Sequence, residues 1–121
     1  MINQRCRGKH SIRLAQKGDE GTGMEREIGA VSCIPASYVL LCNGRQVGAT
    51  DGPVNKLIMM RIIDEFQGVK HSEIFLELLE IQAKQQGFTE FIVASITNER
   101  MMKTALKRGF IKRNDEYSKQ I

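Results

Sequence analysis

Tryptophan is absent from this 121-residue chain, and the remaining aromatics are five phenylalanines and two widely separated tyrosines, Tyr38 and Tyr117. A surface that stacks nucleic-acid bases needs interleaved aromatics, so base stacking is poorly provided for. Histidine is scarce too, and His10 and His71 alone give a zinc site little to build on. The three cysteines, Cys6, Cys33 and Cys42, are odd in number and contain no CxxC pair. That usage suits reduced thiols better than a disulfide scaffold, with Cys42, in an apolar run, as a buried inert thiol. No apolar run approaches membrane-spanning length, and residues 1–10 lack the apolar centre of a signal peptide. The expectation is a cytoplasmic protein without membrane association and without a metal.

What is present suits a globular fold. A hydrophobic content of 41% with 26% charged residues argues against disorder, and the length argues for a single domain over residues 1–121 with a flexible lead at 1–10. The net charge of +4 permits anionic partners without requiring one.

Residues 11–15 alternate like a first strand, and Gly18, Gly21, Gly23 and Gly29 then favour loop over a short helix at 24–28. Two apolar runs, 38–42 and 46–50, flank Asn43-Gly44-Arg45, a strong hairpin signal. After a turn at Asp51-Gly52-Pro53, residues 57–63 are apolar except Arg61, which reads as a third consecutive antiparallel strand buried on both faces. A helix over 72–86 follows, with Ile74, Phe75, Leu78, Leu79 and Ile81 on its apolar stripe, Glu73, Glu77, Glu80 and Lys84 mostly opposite, and Gly87 as its stop. Residues 88–96 form the next strand, apolar on both faces, expected parallel to 57–63 through a right-handed crossover. Asn98 caps a second helix with Met101, Met102, Ala105 and Leu106 as its apolar face and Gly109 as its stop, and 111–117 reads as a last strand. The class is α/β (α+β), with an antiparallel meander, a strand-helix-strand unit and flanking helices around one mixed central sheet.

The junction at 61–72 carries the most chemistry. A helix start after a strand presents unpaired backbone N–H groups and the positive end of a dipole, and anions bind there.

This element order resembles the GNAT superfamily of acyl-CoA-dependent N-acyltransferases, over roughly the last two thirds of the chain. In that family an Arg/Gln-x-x-Gly-x-Gly/Ala loop cradles the pyrophosphate of coenzyme A, and Gln67-Gly68-Val69-Lys70-His71-Ser72 occupies its place. Asn98 followed by Gly109-Phe110 matches a second family spacing. Lys70 stands where the family usually has its middle glycine, Ser72 where it has Gly or Ala, and Ala105 where a tyrosine often serves as general acid. The strand at 57–63 also lacks the glutamate that some members use as base.

The resemblance implies acetyl-CoA or another acyl-CoA as co-substrate and a small-molecule or peptide amine as acceptor, attacked directly without a covalent enzyme intermediate. It implies cofactor contacts at Ile62, Ile63, Gln67, Gly68, Val69, Lys70, His71, Ser72 and Asn98, with the Ile62 and Ile63 amides polarising the thioester carbonyl. Catalytic side chains stay unassigned, and Asp51, Asp64, Glu65 and Tyr117 are the candidate proton carriers. The short glycine-rich stretch between the first two strands leaves the acceptor side open, or completed by a second copy as a homodimer.

Plainer readings stand beside these. Ser72 serves any helix as N-cap, His71 reads as a partly exposed loop residue, and Met59, Met60, Met101 and Met102 read as core filler or as the lining of an acyl slot. The cluster Arg100, Lys103, Lys107, Arg108, Lys112 and Arg113 is a solvated face, or it meets the 3′-phosphate of the coenzyme or a nucleic-acid backbone. Two alternatives therefore remain open: a catalytically degenerate acyl-CoA-binding or protein-interaction module, and a basic nucleic-acid-binding module.

Overall fold

The computed structural model describes residues 8–16, 18–20, 38–67, 71–94 and 99–121. The readings at Cys6, Cys33, 24–28, Gly68, Val69, Lys70 and Asn98 lie outside them. Strand β1 (His10–Leu14) pairs antiparallel with β2 (Tyr38–Cys42), and β2 with β3 (Arg45–Asp51). The turn between β2 and β3 holds Asn43 at φ 52° and Gly44 at φ 83°, two left-handed residues whose twist matches that of the strands they join. Lys9 is drawn onto this hairpin: its N–H donates to Asn43 Oδ1 at 3.1 Å, and its carbonyl accepts the Asn43 N–H at 3.1 Å. Cys42 is buried as expected but is disulfide-bonded, so it is not the free thiol its apolar setting suggests.

The single strand expected over 57–63 is two. Strand β4 (Lys56–Leu57) runs parallel to β6 (Glu90–Val93), whereas β5 (Met59–Ile62) runs antiparallel to β3. The chain changes partners at Ile58. The carbonyls of Asn55 and Leu57 accept the N–H groups of Ile92 and Ala94 at 2.9 and 2.8 Å, and the Ile58 N–H then turns to the Asp51 carbonyl at 2.9 Å. The expected central sheet is accordingly divided into an antiparallel sheet in the order β1-β2-β3-β5 and a mixed sheet that begins β4-β6. The break leaves Ile58 and Met59 about half exposed, so this segment is not buried on both faces.

Helix α1 (His71–Gln85) ends as the sequence predicts, one residue early. Gly87 sits at φ 93°, the Phe88 N–H donates to the Ala83 carbonyl and the Gly87 N–H to the Lys84 carbonyl, which satisfies the last turn. Gly109 closes α2 (Glu99–Lys107) in the same way, with Phe110 bonded to Ala105 and Gly109 to Leu106. The apolar stripe of α1 is rotated from its expected position. Phe75, Leu76, Leu79 and Ala83 are buried, Ile81 is exposed, and Glu80 lies inside with only 7% of its surface accessible. Two cations make that possible: Lys119 Nζ donates to Glu80 Oε1 at 2.7 Å and Arg108 Nε to Glu80 Oε2 at 3.1 Å. On α2, Ala105 is fully buried while Leu106 is exposed. The expected last strand is a hairpin, β7 (Ile111–Arg113) and β8 (Glu116–Gln120), turning at Asn114 with φ 55°. Strand β8 pairs with β6, which makes β6 internal to the sheet order β4-β6-β8-β7.

Candidate functional site

The parting of β4 and β5 opens one edge of β5. The Ile63 N–H donates to the Val47 carbonyl at 2.8 Å, and the alternation of an antiparallel ladder then directs the N–H and C=O of Ile62 to the opposite edge, away from β3. Consistent with that direction, the Ile62 carbonyl accepts Gln67 Nε2 at 2.9 Å. Of the two amides expected to polarise a carbonyl, Ile62 therefore faces the opening and Ile63 is committed to the sheet. Gln67 also donates to Asp64 Oδ1 at 3.3 Å, so its side chain straps the end of β5 to the short 3-10 turn at Asp64–Phe66.

His71 is not a loop residue. It is the first residue of α1, 1% exposed, with Nδ1 2.9 Å from the Phe66 carbonyl. A carbonyl only accepts, so Nδ1 carries the proton. The Phe66 ring meets the imidazole edge-on at 5.5 Å between centroids, and the His10 ring lies 5.7 Å away. This contact closes the chain across residues 66 and 71 and sets the start of α1 beside the end of β5. Sequence reasoning missed the role, although His71 lies one turn before Phe75 on what becomes the buried face. Helix α1 begins at His71 and Ser72, and the first turn of an α-helix directs its N–H groups outward along the axis, toward the end of β5 in this fold. The nearby Glu73 carboxylate is turned toward Lys107 Nζ at 3.6 Å.

The candidate proton carriers are scattered. Asp64 is exposed, Glu65 accepts Arg45 at 2.8 Å, Asp51 ends β3 and Tyr117 is buried in β8. Of the late basic cluster, Arg108 is used on Glu80, Lys107 on Glu73 and Lys103 on Glu99, while Lys112 and Arg113 are exposed.

On the face of the first sheet away from α1 lies a second polar group. Gly48 and Ile62 are cross-strand partners, and Phe75 of α1 packs over Gly48, so Arg61 and Ala49 point to the other face. There Arg13 donates to both carboxylate oxygens of Asp19 at 2.8 and 3.0 Å. These bonds hold the Asp19 carboxyl below its ordinary range, against an opposing push from burial, and raise the Arg13 guanidinium. Gln46 fixes Glu20 through its backbone, accepting the Glu20 N–H at 3.0 Å and donating to its carbonyl at 2.8 Å.

No protein-family pattern matches the sequence, and no curated protein does. Solved structures do match. An N-acetyltransferase from Rhodopseudomonas palustris of the GCN5-related group superposes with a TM-score of 0.57 at 16% identity, over 71% of this chain and 61% of its own. The PaiA N-acetyltransferase of Thermoplasma acidophilum, in complex with coenzyme A, gives 0.53 at 17% identity over 70% of this chain and 60% of its own. The chain has the GNAT fold. A putative N-acetyltransferase of E. coli, YhhK, bound to coenzyme A, aligns with a TM-score of 0.57 at 17% identity over 75% of each chain. The present chain thus spans about three fifths of the length of the first two GNAT-fold proteins. No helix among the described residues is long and apolar enough to cross a membrane.

Proposed function

We propose that this chain is an acyl-CoA-dependent N-acyltransferase that moves an acetyl or similar acyl group onto a primary amine. The observation that carries the reading is the change of partner at Ile58, which opens an edge of β5 next to the start of α1. Acyl-CoA would lie in that opening, between residues 57–63 and 88–96. Its pyrophosphate would rest on the amides of Gly68, Val69, Lys70, His71 and Ser72, with Asn98 as a further contact, whereas the Gln67 N–H is already given to the Asp64 carbonyl at 3.4 Å. His71 contributes through its backbone, since its imidazole is occupied by the Phe66 carbonyl. Coenzyme A complexes of two GNAT-fold neighbours support the choice of co-substrate.

The chemistry asks little of side chains. The amine lone pair attacks the thioester carbon, and the carbonyl oxygen gathers negative charge near the Ile62 N–H. The tetrahedral intermediate then collapses with cleavage of the C–S bond, the coenzyme A thiolate leaves, and the new amide nitrogen loses a proton to solvent. Ala105 leaves the thiolate without a tyrosine donor on α2, and the buried Tyr117 is held inside β8. Slow turnover follows from that. A second reading, an acyl-CoA-binding module without turnover, is favoured by the same residue. Release of free coenzyme A thiol across a broad panel of primary amines separates the two. Amine-dependent release supports the transferase, and binding of acetyl-CoA with no release from any amine leaves the binding module.

A further inference from the structure

Arg13, Val39, Ala49 and Arg61 form one cross-strand row over β1, β2, β3 and β5, on the face away from α1. The arginines at its two ends differ in one respect. Arg13 is closed, with both forks of its guanidinium bonded to Asp19. Arg61 is more buried, with 16% of its side chain accessible, yet its nearest carboxylate oxygens are Glu20 Oε1 at 3.6 Å and Asp64 Oδ1 at 3.8 Å. Among the described residues its guanidinium makes no hydrogen bond within 3.5 Å. Its five N–H donors are thus ion-paired at 3.6 and 3.8 Å but not hydrogen-bonded, so a planar anion that displaces those carboxylates gains bonds they do not make.

We propose that Arg61 anchors a carboxylate carried by the acceptor, so that the acceptors of this chain are small amines that also bear a carboxylate. Identifying that ligand as the acceptor rests on the acyl-transfer reading; the carboxylate site itself stands on the geometry of Arg61. Arg61 immediately precedes Ile62, whose N–H faces the opening. A carboxylate held on the face of β5 therefore brings its own amine toward the edge of the same strand. Glu20 and Asp64, 44% and 69% exposed, supply negative charge for the ammonium on approach; both turn from the guanidinium as the carboxylate docks, and Asp64 gives up or re-forms its 3.3 Å bond from Gln67 in doing so. A carboxylate docking on the guanidinium fork gains two parallel charge-assisted hydrogen bonds that neither flanking residue makes.

The test is an NMR titration of the arginine Nε–H resonances with glycine, β-alanine and 4-aminobutyrate, against methylamine, ethylamine and propylamine. The Arg61 signal is identified by its loss in Arg61→Lys, and Arg13→Lys serves as a folding control. At least one amino carboxylate is expected to shift the Arg61 resonance saturably, about tenfold or more tighter than its carboxylate-free counterpart, and to lose that advantage in Arg61→Lys. Equal responses from both series, no response from either, or full affinity retained in Arg61→Lys overturns the proposal. Acyl transfer to both series without the shift overturns the anchor while leaving the transferase standing. A carboxylate-dependent shift in a protein that binds no acyl-CoA keeps the site and removes the transferase.

Discussion

Replacing Glu80 by alanine tests the packing of α1 most severely. The carboxylate is 7% exposed and accepts one hydrogen bond from Lys119 on β8 and one from Arg108 after α2, so a single side chain ties α1 to the second sheet and to the second helix. Removing it strands two cations whose side chains are only 19% and 27% exposed. Breaking a buried ion pair from one side costs about 3–5 kcal/mol, and the partial access of water to both partners places this case near 3 kcal/mol. For a chain of 121 residues that loss lowers Tm by about 12 °C, since the unfolding entropy is roughly 2.1 cal/mol/K per residue. Urea denaturation should show a lower midpoint at unchanged m. Arg108→Ala made in the Glu80→Ala background should cost far less than in the native protein, because the charge it removes is already unpaired. A loss under about 1 kcal/mol, or strict additivity of the two changes, would refute the view that Glu80 is a buried joint.

Three further outcomes follow from the same structure. Asp19 has a lowered folded-state pKa, so its contribution is complete above the ordinary carboxylate range and is lost as pH falls through the folded value. Asp19→Asn should destabilise the fold by about 1 kcal/mol near neutral pH, and the difference from the native protein should shrink as pH drops below about 4, as followed by urea midpoints. Gly52 sits at φ 112° with the Lys56 carbonyl where a Cβ would go, whereas Gly87 sits at φ 93° in open space. Gly87→Ala should cost about 1 kcal/mol in thermal melts and Gly52→Ala at least twice that, and equal losses would contradict the crowding at Gly52.

Local signals carried much of this fold into the sequence. Asn43-Gly44 fixes a hairpin, Gly87 and Gly109 stop two helices, and the switch of period after Phe66 marks the junction, because each depends on residues next to one another. The features that were not legible depend on distant partners. Nothing near Ile58 announces that its neighbours will join different sheets. That choice is made by Asp51 on one side and by Ala94 on the other. Glu80 reads as a solvent-facing helix residue until Arg108 and Lys119, 28 and 39 positions away, arrive to pair with it. Asn114-Asp115 was hidden inside an apparent strand, since only a left-handed Asn114 reveals the turn. At the site, Ile62 and Ile63 are alike in sequence, and only the register with Val47 and Gly48 tells which amide faces the opening. His71 needed the position of the Phe66 carbonyl to become a structural pin rather than a loop residue.

The central claim, that the junction between β5 and α1 is a coenzyme A cradle, is tested most directly by titrating acetyl-CoA into isotopically labelled protein and following its backbone amides. The account predicts saturable shifts at the amides of Ile62 and of residues 67–72, with little change at the Glu80 joint across the molecule. Absence of binding at millimolar acetyl-CoA, or saturable shifts confined to residues remote from that junction, would contradict it.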